Sequence, residues 1–231
     1  MLGLEYIEGN RLGSEKEKVK VYLKEEGGSP FIVRGAAAEL VARNVDDGAR
    51  CLDCGVGSGI LGAHLLKKGF THIEGADIDD YRDVANKDAY SEFRKVDASM
   101  EAFPWPDNYF DAVMSFETFE HLENPYHAVR ELYRILKPGG LFVMSIPNVQ
   151  HIFNKIFFFR KGDMPRWRKN NNHLGIFPRG VFAKLFLRLF TIQSSGFFLG
   201  FFPWRFLSRI SWWPENEMFG HTAWYVLKKK E

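Results

Sequence analysis

Apolar and polar positions alternate in two different rhythms along the first 150 residues, and the two rhythms take turns. RGAAAELVARNV (34–45) places alanine and leucine on one side of a helix. ARCLDC is a short apolar strand entering a glycine turn. GILGAHLLKKGF returns to helical spacing and closes on Gly69, a residue type suited to a helix C-terminus. HIEGAD predicts a second strand ending at Asp77, and SEFRKVDA a weaker third one after a short polar helix or loop. The prolines of EAFPWPDN exclude a regular element. YFDAVMSF is a fourth strand. NPYHAVRELYRILKPGG predicts a helix that starts near Pro125, carries Val129, Leu132 and Leu136 at helical spacing, and stops in a turn at Pro138-Gly139-Gly140. LFVMSIPN is the fifth strand.

Strand and helix repeating at this pitch imply a mostly parallel sheet with helices on both faces. Ligands of such sheets bind beyond the carboxyl ends of the strands. The predicted strands end at or near Asp53, Asp77, Asp97, Glu117 and Asn148, so one edge of the sheet collects polar side chains. After Asn148 the alternation lapses. Residues 151–173 are apolar and then basic, PRGVFAKLFLRLF is a helix with proline in its first turn, and TIQSS and HTAWYVLKK form a final strand pair. The expected organisation is a single domain over 1–231. It comprises an N-terminal extension or lid (1–33), a core (34–150) and an aromatic-rich C-terminal cap insertion (151–213).

Composition narrows the partners. Net charge is +2, from 31 Lys and Arg against 29 Asp and Glu, which gives no reason to expect nucleic acid. Cys51 and Cys54 are the only cysteines. They are too close for an easy bridge and have no second pair to build a zinc site, so no metal is expected and a reducing, cytoplasmic setting is. The first residues lack the apolar core of a secretion signal. Of 22 phenylalanines, 14 follow residue 151, together with five of six tryptophans. FFLGFFPWRFLSRISWW (197–213) falls short of a membrane span, and Lys184, Arg188 and Arg205 interrupt the best candidate.

The turn after the first strand poses the main question. Gly57, Gly59 and Gly62 fit the dinucleotide pattern, with Asp77 placed 20 residues past Gly57 for a ribose. The full string is LDCGVGSG, however, with an acid at Asp53 and a first glycine at Gly55. A diphosphate calls for backbone N–H groups and a helix dipole, not a carboxylate at the strand tip. S-adenosylmethionine has a ribose, a sulfonium and an α-amino group but no phosphate. Asp53 would then orient the ammonium, directly or through water, and Asp77 would accept from the ribose hydroxyls, with Asp79 as the alternative.

Here the chain resembles the class I (Rossmann-like) S-adenosylmethionine-dependent methyltransferases, in particular small-molecule enzymes related to ubiquinone and menaquinone biosynthesis methylases. LDCGVGSG resembles the family's glycine motif and GADID its acid after strand two. VDASMEAFPWPDNYFDAVMSF, EHLENP and ELYRILKPGG are similar to its later segments. The resemblance covers roughly 34–150 closely and the last strand loosely. It implies S-adenosyl-L-methionine as cofactor, with Asp97 meeting the adenine amino group and the Ala98 amide a ring nitrogen. Asp53, Gly55, Gly57, Gly59, Asp77, Ile78 and Ser115 complete the implied cofactor-binding set, and Ser99 or the backbone is the alternative to Asp97.

Orientation and exclusion of water carry most of methyl transfer, and a base is needed only for an acceptor protonated at rest. The first candidate is His121 in SFETFEHLENP, with Glu117 one helical turn before it to steer the ring. His173 is second and His151 third; His64 and His72 receive no role. The aromatic weight of 151–213 predicts a small hydrophobic acceptor, with Met164, Trp167 and Arg168 as lining residues. The same stretch suits peripheral membrane contact through Arg160, Lys161, Arg166, Arg168 and Lys169, or a homodimer interface. Tyr22, Phe31 and Arg34 are placed near the methionine end. Two rival readings are a non-catalytic, partner-dependent subunit and an NAD-dependent oxidoreductase.

Overall fold

The computed structural model describes residues 31–168, 171–198 and 216–231. Tyr22, Lys169, Arg205, most of the extension and positions 199–213 of the aromatic segment lie outside the described residues, as do the side chains of Phe31 and Arg34. The chain runs α1 (Phe31–Asn44), β1 (Cys51–Cys54), α2 (Ile60–Leu66), β2 (Ile73–Asp77), β3 (Glu92–Lys95) and β4 (Phe110–Phe116). It continues α3 (Pro125–Ile135), β5 (Leu136–Pro147), α4 (Ile152–Lys161), α5 (Arg179–Leu185), β6 (Phe190–Phe198) and β7 (Thr222–Lys229). The seven strands form one sheet in the order β3-β2-β1-β4-β5-β7-β6. Neighbours are parallel except that β7 runs antiparallel to both β5 and β6.

Alternation along the strands separates two cores. Leu52, Val113, Phe142 and Met144 face α3 and α5, meeting Val129, Leu132, Phe182 and Phe186. Cys51, Ala112, Met114 and Val143 face α1 and α2, meeting Ala38, Val41 and Leu65. Helix α3 follows from its sequence. The Asn124 side chain accepts from the His127 N–H, Pro125 opens the first turn, and Ala128, Val129, Leu132 and Ile135 form the buried stripe. Helix α2 ends as predicted, with Gly69 at φ 98 and Phe70 N–H returning to the Leu65 carbonyl.

The expected turn at LKPGG is instead the start of β5. Leu136 lies opposite Phe110 and Leu141 opposite Ala112, so 137–140 bulge within a continuing ladder. Lys229, buried at the end of β7, holds this bulge by donating to the Leu136 carbonyl at 2.6 Å and to Asn108 Oδ1 at 3.0 Å. Residues 190–198, inside the stretch expected to be a cap, are strand β6 of the main sheet. No helix among the described residues is long and apolar enough to cross a membrane.

Candidate functional site

The glycine loop joins β1 to α2 with Gly55, Gly57 and Gly59 all at positive φ (88°, 53° and 79°), a backbone region in which other residues are strained. The end of β2 anchors it. Gly55 N–H donates to the Ala76 carbonyl at 2.8 Å, and Gly57 N–H donates to Asp77 Oδ2 at 2.8 Å. Asp77 Oδ1 accepts from the Ile78 N–H at 2.7 Å. Burial outweighs these bonds and raises the Asp77 carboxyl to about 6. The loop and Asp77 are therefore fastened to each other across the carboxyl ends of two neighbouring strands.

Asp53 is buried, at 2% exposure, beside a residue with no signal in the sequence. Tyr90 donates its hydroxyl proton to Asp53 Oδ2 at 2.7 Å and accepts from the Gly62 N–H at 3.2 Å. Gly62 is the third residue of α2, so the phenol occupies one of the donors that a helix start leaves unsatisfied. Burial raises Asp53 to about 7. Gly62 is needed for this contact, since a Cβ there would stand 2.5 Å from the Tyr90 ring. Gly55 has a similar constraint: its Cβ would lie 2.2 Å from Thr118 Oγ1. That glycine makes room for a neighbouring side chain.

Asp97 opens the turn after β3. Its Oδ1 accepts from the Ser99 N–H at 2.8 Å, its own N–H donates to Glu101 Oε2, and Ala98 follows half-buried. Ser99 Oγ accepts from the Glu123 N–H. Ser115 is fully buried within β4. Asn148 spends its amide on the Glu217 and Gly220 carbonyls, tying β5 to the turn before β7.

The expected helical turn from Glu117 to His121 is absent. Glu117 sits at φ 53 and a short 3₁₀ turn spans Phe119–His121, because β4 must bend sharply off the sheet. Glu117 forms an ion pair with Arg166. This moves Arg166 from the predicted headgroup-facing surface to an inward position. The carboxylate nearest the histidines is Glu120, fully buried, with Oε1 4.0 Å from His173 Nε2. The His121 and His173 rings pack at 4.7 Å between centroids, and Trp167 lies edge-on to His173 at 5.7 Å. Burial, with His121 and Arg166 nearby, lowers His173 to about 2, so the ring stays neutral and is a weak proton acceptor. His151 instead caps α4, accepting from the Phe153 N–H at 3.2 Å. Glu120, Tyr90 and His221 went unrecognised in the sequence. Burial holds His221 down at about 4. Only Glu120 carried a signal, adjacent to His121.

Beyond the carboxyl end of β5, a cleft of about 390 Å³ opens between Ile146, Phe177, Phe182, Ile192, Phe197 and Tyr225. The Arg179–Glu217 ion pair forms part of its lining.

A glycine loop after the first strand and an acid closing the second, in a sheet of this order, define a class I, Rossmann-like methyltransferase fold. An S-adenosylmethionine-dependent methyltransferase from Mesorhizobium loti has the same fold at TM-score 0.60 and 17% identity, covering 84% of this chain and 98% of that one. Residues 52–144 match the family model described as a methyltransferase domain, which supports a class I S-adenosylmethionine-dependent methyltransferase. A Mycolicibacterium smegmatis protein named "Probable S-adenosylmethionine-dependent methyltransferase" is 32% identical over 101 residues, 44% of this chain and 39% of that protein. A sterol 24-C-methyltransferase of Gibberella zeae is 33% identical over 104 residues, 42% of this chain and 27% of its own length. The chain thus spans well under two thirds of these relatives.

S-adenosyl-L-methionine is the cofactor that the family and fold imply. The residues present fit it. Gly55, Gly57 and Gly59 hold the loop in left-handed backbone over the strand tip, and Asp77 is fixed beside it by two backbone donors.

Proposed function

We propose that the protein is a methyltransferase that binds S-adenosyl-L-methionine across the carboxyl ends of β1, β2 and β3 and methylates a small hydrophobic acceptor. The observation that carries this reading is the Asp77 carboxylate pinned to the glycine loop at the tip of β2. When bound, the cofactor supplies an electrophilic methyl group on a positively charged sulfur. Asp77 accepts hydrogen bonds from the ribose hydroxyls, and the Gly55–Gly59 backbone passes beneath the amino-acid moiety. Asp53, steadied by Tyr90, contributes negative charge toward the ammonium. Asp97 and the Ala98 amide hold the adenine.

The cleft beside β5 supports an apolar acceptor, because its walls are mainly aromatic and aliphatic and its polar pair is already matched. Phe177, Phe182, Leu187, Ile192 and Phe197, from the stretch 151–213, form part of the acceptor side. Helix α4 favours a further role in peripheral membrane contact. It exposes Ile156, Phe158 and Phe159, the last at 91%, next to Arg160 and Lys161.

The reading is tested by calorimetric titration with S-adenosylhomocysteine and, separately, with NAD. Binding of the first and not the second is expected. The reverse result would replace the methyltransferase reading with the oxidoreductase one. Cofactor binding without transfer of labelled methyl to any member of an apolar hydroxyl, amine and alkene panel would favour the non-catalytic subunit.

A further inference from the structure

Glu120, His121 and His173 form a group that methyl donation by itself does not require. We infer that these three residues are a divalent-cation site of the zinc or manganese type, formed between the short turn after β4 and the segment before α5. One ligand atom from each lies within 4.8 Å of the other two. Donors bound to one such cation at about 2.0–2.2 Å stand roughly 3–4 Å apart, so a small inward turn of the side chains closes the set.

Two independent observations point to a ligand there. First, Glu120 is 0% exposed and neither of its carboxylate oxygens has a hydrogen-bond partner, although a buried carboxylate without partners is costly. His173 Nδ1 is likewise buried without a hydrogen-bond partner. Second, His121 Nδ1 stands 3.2 Å from the Asn172 carbonyl. A carbonyl only accepts, so Nδ1 carries the proton and the lone pair of the neutral ring is on Nε2. A backbone carbonyl fixing the far nitrogen is the usual support of a metal-bound histidine.

The charges agree. Arg166 is matched by Glu117, leaving one negative charge from Glu120 and two neutral imidazoles to meet a dication. Two imidazoles and a carboxylate suit zinc, manganese, iron or cobalt better than magnesium or calcium. Three protein ligands also leave positions open. If the methyltransferase reading holds, an acceptor oxygen fills one of them, which selects hydroxyl-bearing acceptors. The coordinated hydroxyl then loses its proton to bulk water more readily, and no histidine base is needed.

The test uses the full chain stripped with EDTA and titrated with Co²⁺ alone and Zn²⁺ alone, followed by visible absorption and calorimetry. One equivalent is expected to bind the wild type. Glu120→Gln and His173→Gln should each weaken binding at least tenfold while S-adenosylhomocysteine affinity is unchanged. Cys51 and Cys54 remain in both variants and do not account for such a loss. Glu120→Gln should also melt no lower than the metal-free wild type, since it replaces a buried carboxyl whose oxygens have no hydrogen-bond partner. No saturable cation binding by the wild type would overturn the inference, whatever the variants do. So would equal binding by Glu120→Gln. Cation binding needs no cofactor, so its failure is separable from a failure of the methyltransferase reading.

Discussion

Asp53 has an ordinary function only if its proton is accounted for. Its carboxyl is raised to about 7 by burial, against roughly 3.9 in an unfolded chain. The folded state therefore holds this proton more tightly. The associated stability is complete below about pH 4 and is lost as pH rises toward 7. Urea denaturation of the wild type and Asp53→Asn from pH 4 to 8 should show the variant gaining relative stability across that window. A difference independent of pH would contradict the buried, raised carboxyl. A cofactor ammonium placed near Asp53 would favour its ionised form, so S-adenosylhomocysteine affinity should rise between pH 6 and 8 in the wild type and much less in Asp53→Asn. Asp53 and Asp77 could be singled out in the sequence because each closes an apolar run before a turn. Tyr90 could not, because the contact that gives it meaning spans 37 residues and is set by the packing of α2.

At the scale of elements, the glycines separate by what they allow. Gly62 lies inside α2, where alanine suits the backbone, yet a Cβ there meets Tyr90 at 2.5 Å. Gly62→Ala is expected to destabilise the fold by about 1–3 kcal/mol through overpacking. Pairing it with Tyr90→Ala should give less than the sum of the two single losses, a coupling of at least about 0.5 kcal/mol in denaturant unfolding. Strict additivity would mean that the two residues do not touch. The strands and α3 were legible because apolar spacing and the Asn124-Pro125 start are local signals. LKPGG was not, since Pro-Gly-Gly is a stop signal locally, and only the partner strand reveals a bulge. Lys229 supplies the missing information from 93 residues away at Leu136. Lys229→Ala should cost about 1.5–3 kcal/mol for the lost charged hydrogen bonds, read as a lower urea midpoint.

Across the whole molecule, the cofactor side and the acceptor side differ in how openly they are encoded. The segment matched by the methyltransferase domain, 52–144, spans β1 to β5. The cleft beside β5 is assembled from residues between Ile146 and Tyr225, contributed by β5, α5, β6 and β7. An aromatic-rich composition announced an apolar surface there but not which residues face inward. Phe182 stacks on Tyr225 at 4.2 Å in the cleft wall, while Phe159 faces outward on α4. Replacing Phe158 and Phe159 by Ser should leave S-adenosylhomocysteine binding intact and reduce sedimentation with anionic lipid vesicles. Unchanged sedimentation with a lower oligomeric mass would assign the face to a second copy of the chain.

The central claim is that Asp77 and the glycine loop bind the adenosyl cofactor, and calorimetry of S-adenosylhomocysteine with the wild type and Asp77→Ala tests it most directly. One site per chain is expected in the wild type. Loss of hydrogen bonds to the ribose, at roughly 1.5–3 kcal/mol each, should weaken it at least about tenfold in the variant. No binding by the wild type, or equal affinity in Asp77→Ala, would contradict the account.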